Sequence, residues 1–518
     1  AYQCGIIVYN DLCILQTNKC DEKANSNRNC VFQCHRNGVK NCFTYIGKGK
    51  QDKDDTFHKY SNQSLLLTDQ NGNVTSIGMD ALKADLAVGQ HAWCGRVWDT
   101  ANATPKAASY IGSLELLKEL PYILGLGGYL VKNDHSRRKL DSKDHYKYAT
   151  GEPAKLDGTE GHYQWGWGRK FYVVIKDIGG LHYEQIGIKP IPGEFNYEIP
   201  IGSLSAAGFA TIERSTGRLV SYINNGTDYR GGDNDSSYDG KNRTLLGRPA
   251  TNMTTEQFRA AARKNGKGWL CTAMRHTSIV AILFGVIFGT HYDQDAVNAN
   301  KDANGLYQGG LGAGLTQMPD WSGYNGWRPV APMSAGIELG DSCGEATYAV
   351  KNDAGTTVYN AKIPCFFGLK NGFGNLWRMM DDEFCQVNSD KTMTHLVAPS
   401  IYGSWTIGNP SGMRALSKSP GGGEGYIKTL SMEHLENFCT QIGATESTYS
   451  TGYFWNTSNA TSGFRLCLRG GNADNGGQCG LSTLNVRNAV SDSNVYCGAA
   501  LCEAASEWSL DPVYYEAA

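Results

Sequence analysis

The sequence is short of charge and favours neither sign. Asp, Glu, Lys and Arg make up 19% of the 518 residues, 48 basic against 50 acidic, for a formal net charge of −2. With no basic surplus to neutralise phosphates, nucleic acid is excluded as a general partner. Long apolar runs are also missing. The most apolar stretch, Ser278 to Gly289, is shorter than the roughly 18 residues of a membrane span and leads into His291, Tyr292 and Asp293. A buried helix is expected there, with no membrane insertion. The opening AYQCGIIVYN has neither the basic start nor the small-residue cleavage site of a signal peptide, so no secretion signal is expected.

Catalytic grammar is equally sparse. There is no G-x-S-x-G elbow and no H-E-x-x-H helix, and the eleven histidines are scattered. GLYQGG, from Gly305, lacks the Lys and Ser/Thr of a phosphate-binding loop. Asp381, Asp382 and Glu383 read as a solvated turn, and Asp293 and Asp295 near His291 as acids at a helix end. Asp233, Asp235 and Asp239 lie close together without EF-hand spacing, as in a polar turn. No C-x-x-C pair occurs among the 16 cysteines; Cys30, Cys34, His35 and Cys42 can be drawn as a zinc site, but scattered reduced thiols are the better reading. The expectation is a protein that is not an enzyme, with no catalytic residue, no metal and no cofactor.

Glycine is abundant, 63 residues, and marks a chain rich in turns and loops. Three regions are expected: a small β-rich attachment domain over 1–95, a β-rich middle over 96–250, and a third over 251–518. Thr254 and Gln257 form a capping box before Phe258, Ala261 and Ala262, and Thr272 to Phe288 is apolar on nearly every side, so it should be buried on all of them. Leu114, Leu116, Leu117 and Leu120 give a short helix, and Leu435, Phe438 and Cys439 suggest another over Ser431 to Gln441. FYVVIK, from Phe171, and FATIE, from Phe209, read as strands. Helices followed by many short strands and long ordered loops make an α+β pattern.

The most informative segment is Gly463 to Cys502, in which short apolar anchors (Phe464, Leu468, Leu481, Val490, Leu501) alternate with polar residues and a recurring Asn. Asn472, Asn475 and Asn488 suit turns, which they hold by side-chain to backbone bonds. LRGGNADNGG, preceded by GFR at Gly463 and closed by CGAALC at Cys497, resembles the variable proteins of diversity-generating retroelements, which carry a C-type-lectin fold. Their closing Gly-Ser-Arg-Leu-like tetrapeptide is here Gly498, Ala499, Ala500 and Leu501, a departure at two positions. GLKNGFGNLWRMMDD, from Gly368, resembles the Asn-x-x-Gly-x-x-Trp core of that fold and of formylglycine-generating-enzyme relatives. The helix pair Thr254 to Phe288 with the following FGTHYDQDAVNANKDANG looks like the matching part of phage tail proteins.

The resemblance implies a C-terminal C-type-lectin-like receptor-binding domain over 251–518, with two helices, many short strands and long ordered loops. The function it implies is a phage tail-tip receptor-binding protein for host attachment, a homotrimer in the virion tail, made in the host cytoplasm. Its partners would be a cell-surface receptor, glycan or protein, and other tail proteins met through the N-terminal region. A bacterial cell-surface or pilus-tip adhesin is the alternative, and a formylglycine-generating-enzyme-like oxidase a more distant one; no copper-binding cysteine pair can be carried over for it. The displayed positions it implies are Ala473, Asp474, Gln478, Ser482, Thr483, Val486, Arg487, Ser493, Val495 and Tyr496. Cys467, Cys479 and Cys497 would be residues sampled by adenine mutagenesis at or near the contact surface. The Glu-Pro-Asn triplet of calcium-dependent sugar binding is missing.

Overall fold

The computed structural model describes residues 30–36, 39–45, 64–68, 74–78, 92–99, 108–445, 452–456 and 460–516. The chain divides into two units, Ala1–Gly89 and Gln90–Ala518. In the first, the strands Cys30–Arg36, Val39–Tyr45, Ser64–Thr68 and Val74–Gly78 pair in sequence order as an antiparallel sheet. The side chains of Cys30, Cys34, His35 and Cys42 lie outside the description, as do Cys4, Cys13 and Cys20.

The second unit is built on sheets whose strands come from both ends of the sequence. One six-stranded sheet runs Trp269–Cys271, Leu501–Ala504, Gly202–Ser205, His162–Trp167, Gly127–Val131, Arg137–Lys139. The other ends with Val513–Tyr515 beside Glu194–Ile199, then continues through Phe171–Ile178, Leu181–Gly187, Trp93–Asp99 and Ser109–Gly112. The expected boundary at 250 is therefore bridged: Leu204 stands opposite Cys502, and Asn196 opposite Val513. A nine-stranded sheet is centred on Trp377–Val387 and Phe464–Arg469, and reaches Tyr453–Trp455 through the short strand Leu484–Asn485.

Among the described residues the α-helices lie between 114 and 325: α1 (Leu114–Leu124), α2 (Thr255–Arg263), α3 (Met274–Phe288) and α4 (Trp321–Asn325). From about 330 onward the described residues are almost entirely strands and the turns between them. This overturns the expected fold class, an α+β chain whose two helices belong to a C-terminal C-type-lectin-like module. The reason is visible in α3. Its apolar side chains are buried on every side, against α1 and against Trp93–Asp99, Leu181–Gly187, Gly202–Ser205 and Trp377–Val387. It is a central core element shared by N- and C-terminal strands, and each fully buried Leu, Ile or Phe contributes about 1.5–3 kcal/mol.

Local signals were obeyed where they were strong. Thr254 Oγ1 accepts from Gln257 N–H while Gln257 Oε1 accepts from Thr254 N–H, the capping box expected of α2. The helix expected over Ser431 to Gln441 is instead a turn joining strands Gly425–Ser431 and Phe438–Ile442. Leu435 and Asn437 sit at φ of 60° and 45°, left-handed values that no α-helix contains. Glu436 stabilises this turn by accepting from the hydroxyls of Ser417 and Ser431 and from His434 N–H.

Candidate functional site

The acidic triplet is not a solvated turn. Asp381, Asp382 and Glu383 are wholly buried, in a strand that pairs Met379 with Leu468 and then Phe384 with Leu466. The extra residues between those pairs turn to other partners: Asp381 meets two arginines, and Asp382 and Glu383 one each. Asp381 accepts from Arg259 Nε at 3.1 Å, Arg263 Nη1 at 3.1 Å and Cys271 N–H at 2.8 Å. Asp382 accepts from Arg275 Nη1 at 2.8 Å and from Met274 N–H at 2.6 Å. Glu383 takes a two-pronged bond from Arg469, Nε at 2.6 Å and Nη2 at 2.8 Å, and meets His395 Nε2 at 2.7 Å.

Met274 opens α3, whose preceding Ala273 offers no side-chain cap, so Asp382 caps the helix from a neighbouring strand and meets the positive end of its dipole. Burial alone pushes carboxyls up, but at Glu383 the Arg469 guanidinium and His395 outweigh it and hold the group down at about 2. At Asp382 burial prevails and the carboxyl is raised despite Arg275. Arg469 also donates to the carbonyls of Glu436 and Asn437, which ties the C-terminal strand to the 431–438 turn.

Above this base the segment 470–483 is clamped. Gly374 N–H donates to Gly470 O, Gly476 N–H to Thr316 O, Met318 N–H to Ala473 O, and Gln294 Nε2 to the carbonyls of Gly476 and Cys479. Asn472 Oδ1 accepts from Asp474 N–H and Asn475 Oδ1 from Asn472 N–H, the turn-holding role expected of these asparagines. The paired glycines are required by space. At φ of 92° and 79°, a Cβ on Gly470 would lie 2.4 Å from Arg378 Nη1, and one on Gly471 2.4 Å from Cys479 Sγ. Arg378 is itself buried over the Phe209 ring, and burial lowers it to about 9.

The proposed displayed residues do not share one surface. Ala473, Ser482, Thr483 and Val486 are buried, which removes them as displayed positions: Ala473 and Val486 belong to apolar clusters, Ser482 donates to Asn437 Oδ1, and Thr483 to Gln478 O. Asp474 is exposed and Gln478 half-exposed, both on the clamped loop. Ser493 is exposed and Val495 half-buried, in a turn held by Asn252 N–H on Asn494 O. Tyr496 is half-buried, packs against two apolar clusters, and its carbonyl accepts from Trp377 N–H. Cys467, Cys479 and Cys497 are buried free thiols, not contact residues; burial pushes all three well up. Cys467 Sγ lies 3.5 Å from Cys385 Sγ, beyond disulfide distance.

Arg487 is different. It is exposed, its guanidinium centre lies 4.9 Å over the Trp455 ring, and it bonds Asn456 O and the Glu424 carboxylate. Trp455 meets Tyr453 at 4.8 Å between ring centres, and Tyr453 meets Tyr426 edge-on at 5.1 Å. Strand alternation makes this ladder: Phe454 is fully buried in one apolar cluster, while Tyr453 and Trp455 on either side face the other way and are half-buried, Trp455 packing against a second apolar cluster. Tyr426 stands directly opposite Tyr453 in the adjoining strand. Sequence reasoning found Arg487 and missed its three aromatic neighbours; the alternating YFW of 453–455 was the signal for two of them.

Among the described residues no helix is long and apolar enough to cross a membrane. No protein-family model matches the chain, and no curated protein matches it. Among solved structures, one to which it is similar is "Major Tropism Determinant I1 Variant", at 11% identity over 88% of this chain and 96% of that one, with a TM-score of 0.19. A likeness at that TM-score assigns neither fold nor activity.

Proposed function

We propose that this chain is a receptor-binding protein for host attachment, of the phage tail-tip kind, and that it meets its receptor through the Tyr426–Tyr453–Trp455–Arg487 ladder. The observation that carries this reading is the exposed Arg487 guanidinium stacked on Trp455. Tyr, Trp and Arg are the side chains most often dominant in binding, because they offer large contact area with few rotamers to freeze. The ladder strand Tyr453–Trp455 is joined through Leu484–Asn485 to Phe464–Arg469, whose Arg469 is fixed by Glu383, so little ordering entropy opposes association. The exposed Asp474, Arg487 and Ser493 and the half-exposed Gln478 and Val495 remain candidate contact positions, whereas Tyr496 is packed between two apolar clusters. The receptor is a glycan or a protein on the cell surface, and trimerisation would multiply modest contacts through effective concentration.

The test is binding of the labelled full chain to a panel of intact bacteria, competed with unlabelled protein. Trp455→Ala and Arg487→Ala are each expected to weaken apparent affinity at least about tenfold, near 1.4 kcal/mol. Undiminished binding by both variants would remove the ladder from the contact surface.

A further inference from the structure

His182, Glu184 and His291 form a second buried cluster, far in sequence from the acidic triplet and with no part in the ladder. His182 and Glu184 are alternate residues of the strand Leu181–Gly187, so both face the same side, toward α3. His291 follows the left-handed Gly289 that ends that helix. Glu184 Oε1 lies 3.2 Å from His182 Nε2 and 3.1 Å from His291 Nε2, and the ligating atoms of all three residues lie within 4.8 Å of one another. A tetrahedral zinc with ligand bonds of about 2.0–2.1 Å sets its ligands about 3.3 Å apart.

Three further observations point to an ion. Glu184 is fully buried, and its Oε2 has no hydrogen-bond partner. His182 Nδ1 bonds Asp177 Oδ1 at 2.8 Å, which turns Nε2 toward Glu184, the outer carboxylate–histidine arrangement common behind metal ligands. Gly285, inside α3, leaves the needed space: a Cβ there would sit 2.8 Å from Glu184 Oε2 and 2.9 Å from His291 Cε1. The other buried cluster, Glu383, His395 and Cys467, is a poor competitor, because Arg469 already occupies both Glu383 oxygens.

We propose that His182, Glu184 and His291 bind one first-row divalent cation, Zn²⁺ by preference for two imidazoles and a carboxylate. The ion clips the Phe171–Ile178/Leu181–Gly187 hairpin to the end of α3. Asp177, whose side chain is 73% exposed, orients His182 from the solvent side.

The experiment uses the full chain without a histidine tag, stripped with chelator and titrated with Co²⁺, then with Zn²⁺. Wild type is expected to take up one equivalent of Co²⁺ with visible d–d absorption that Zn²⁺ abolishes, and to show a higher melting temperature with Zn²⁺ than in chelator. Glu184→Gln and His291→Gln are expected to lose at least a hundredfold in Co²⁺ affinity, Asp177→Asn about tenfold, and His395→Gln nothing. X-ray absorption of the Zn²⁺-loaded wild type reads the imidazole and oxygen shell directly, so the answer stands even where a variant fails to fold. Wild type that takes up neither ion, or binding untouched by Glu184→Gln and His291→Gln, overturns the proposal.

Discussion

The frame around Asp381–Glu383 and the ladder ending in Arg487 use the same residue types to opposite ends. Arg469 and Arg487 belong to the same stretch of chain and each meets a glutamate, yet Arg469 is buried with Glu383 while Arg487 and Glu424 stand 43% and 36% exposed. In the core, a charge stripped of water must be matched, so the pair fixes position and losing one partner is severe. At the surface, water and salt screen the pair, which then holds little together and is available for contact.

The strongest way to break this contrast is Arg469→Met, which leaves Glu383 buried without its counter-charge. A loss of about 3–5 kcal/mol is expected in urea unfolding, largely restored when Glu383→Leu is added. A loss under about 1 kcal/mol would mean the interior pair behaves like a surface one.

Acid titration probes the same pair with no mutation. The folded-state pKa of Glu383 is depressed, from the usual 4.5 to about 2, so its contribution is complete above pH 4.5 and is lost as pH falls toward 2. The shift corresponds to about 3 kcal/mol. Unfolding free energy measured at pH 7, 4 and 3 should decline below 4.5, and Glu383→Gln should flatten that decline.

The finest test separates two residues that the motif alone would treat alike. Tyr496→Ala, which empties a place between two apolar clusters, should cost about 2 kcal/mol, whereas Arg487→Ala should change stability by less than about 1 kcal/mol. Equal losses would erase the distinction between packed and displayed positions.

What the sequence made legible was local. The capping box of α2 and the all-round apolarity of α3 are written within a few turns of chain, and both helices lie where those signals put them. The acidic triplet was misread because its partners, Arg259, Arg263, Arg275 and Arg469, lie 80 or more residues away and nothing adjacent hints at them. His182 and Glu184 are alternate residues of one strand, a pairing whose meaning appears only when His291 is brought beside it. Leu435, Phe438 and Cys439 fit a helical period, but the left-handed residues at 435 and 437 outweighed three apolar positions. The motif around LRGGN located the clamped loop, and burial then divided its residues in a way that no motif encodes.

Leu501–Ala504 lies in the interior of its sheet, with Trp269–Cys271 on one side and Gly202–Ser205 on the other. During synthesis, hundreds of residues therefore leave the ribosome before that gap can be filled. Until then the edges of both neighbouring strands stay open to pairing with other chains. The unit cannot complete this sheet until residues 501–504 have been made, and removing residues from 501 onward should yield an aggregating polypeptide rather than a smaller folded one.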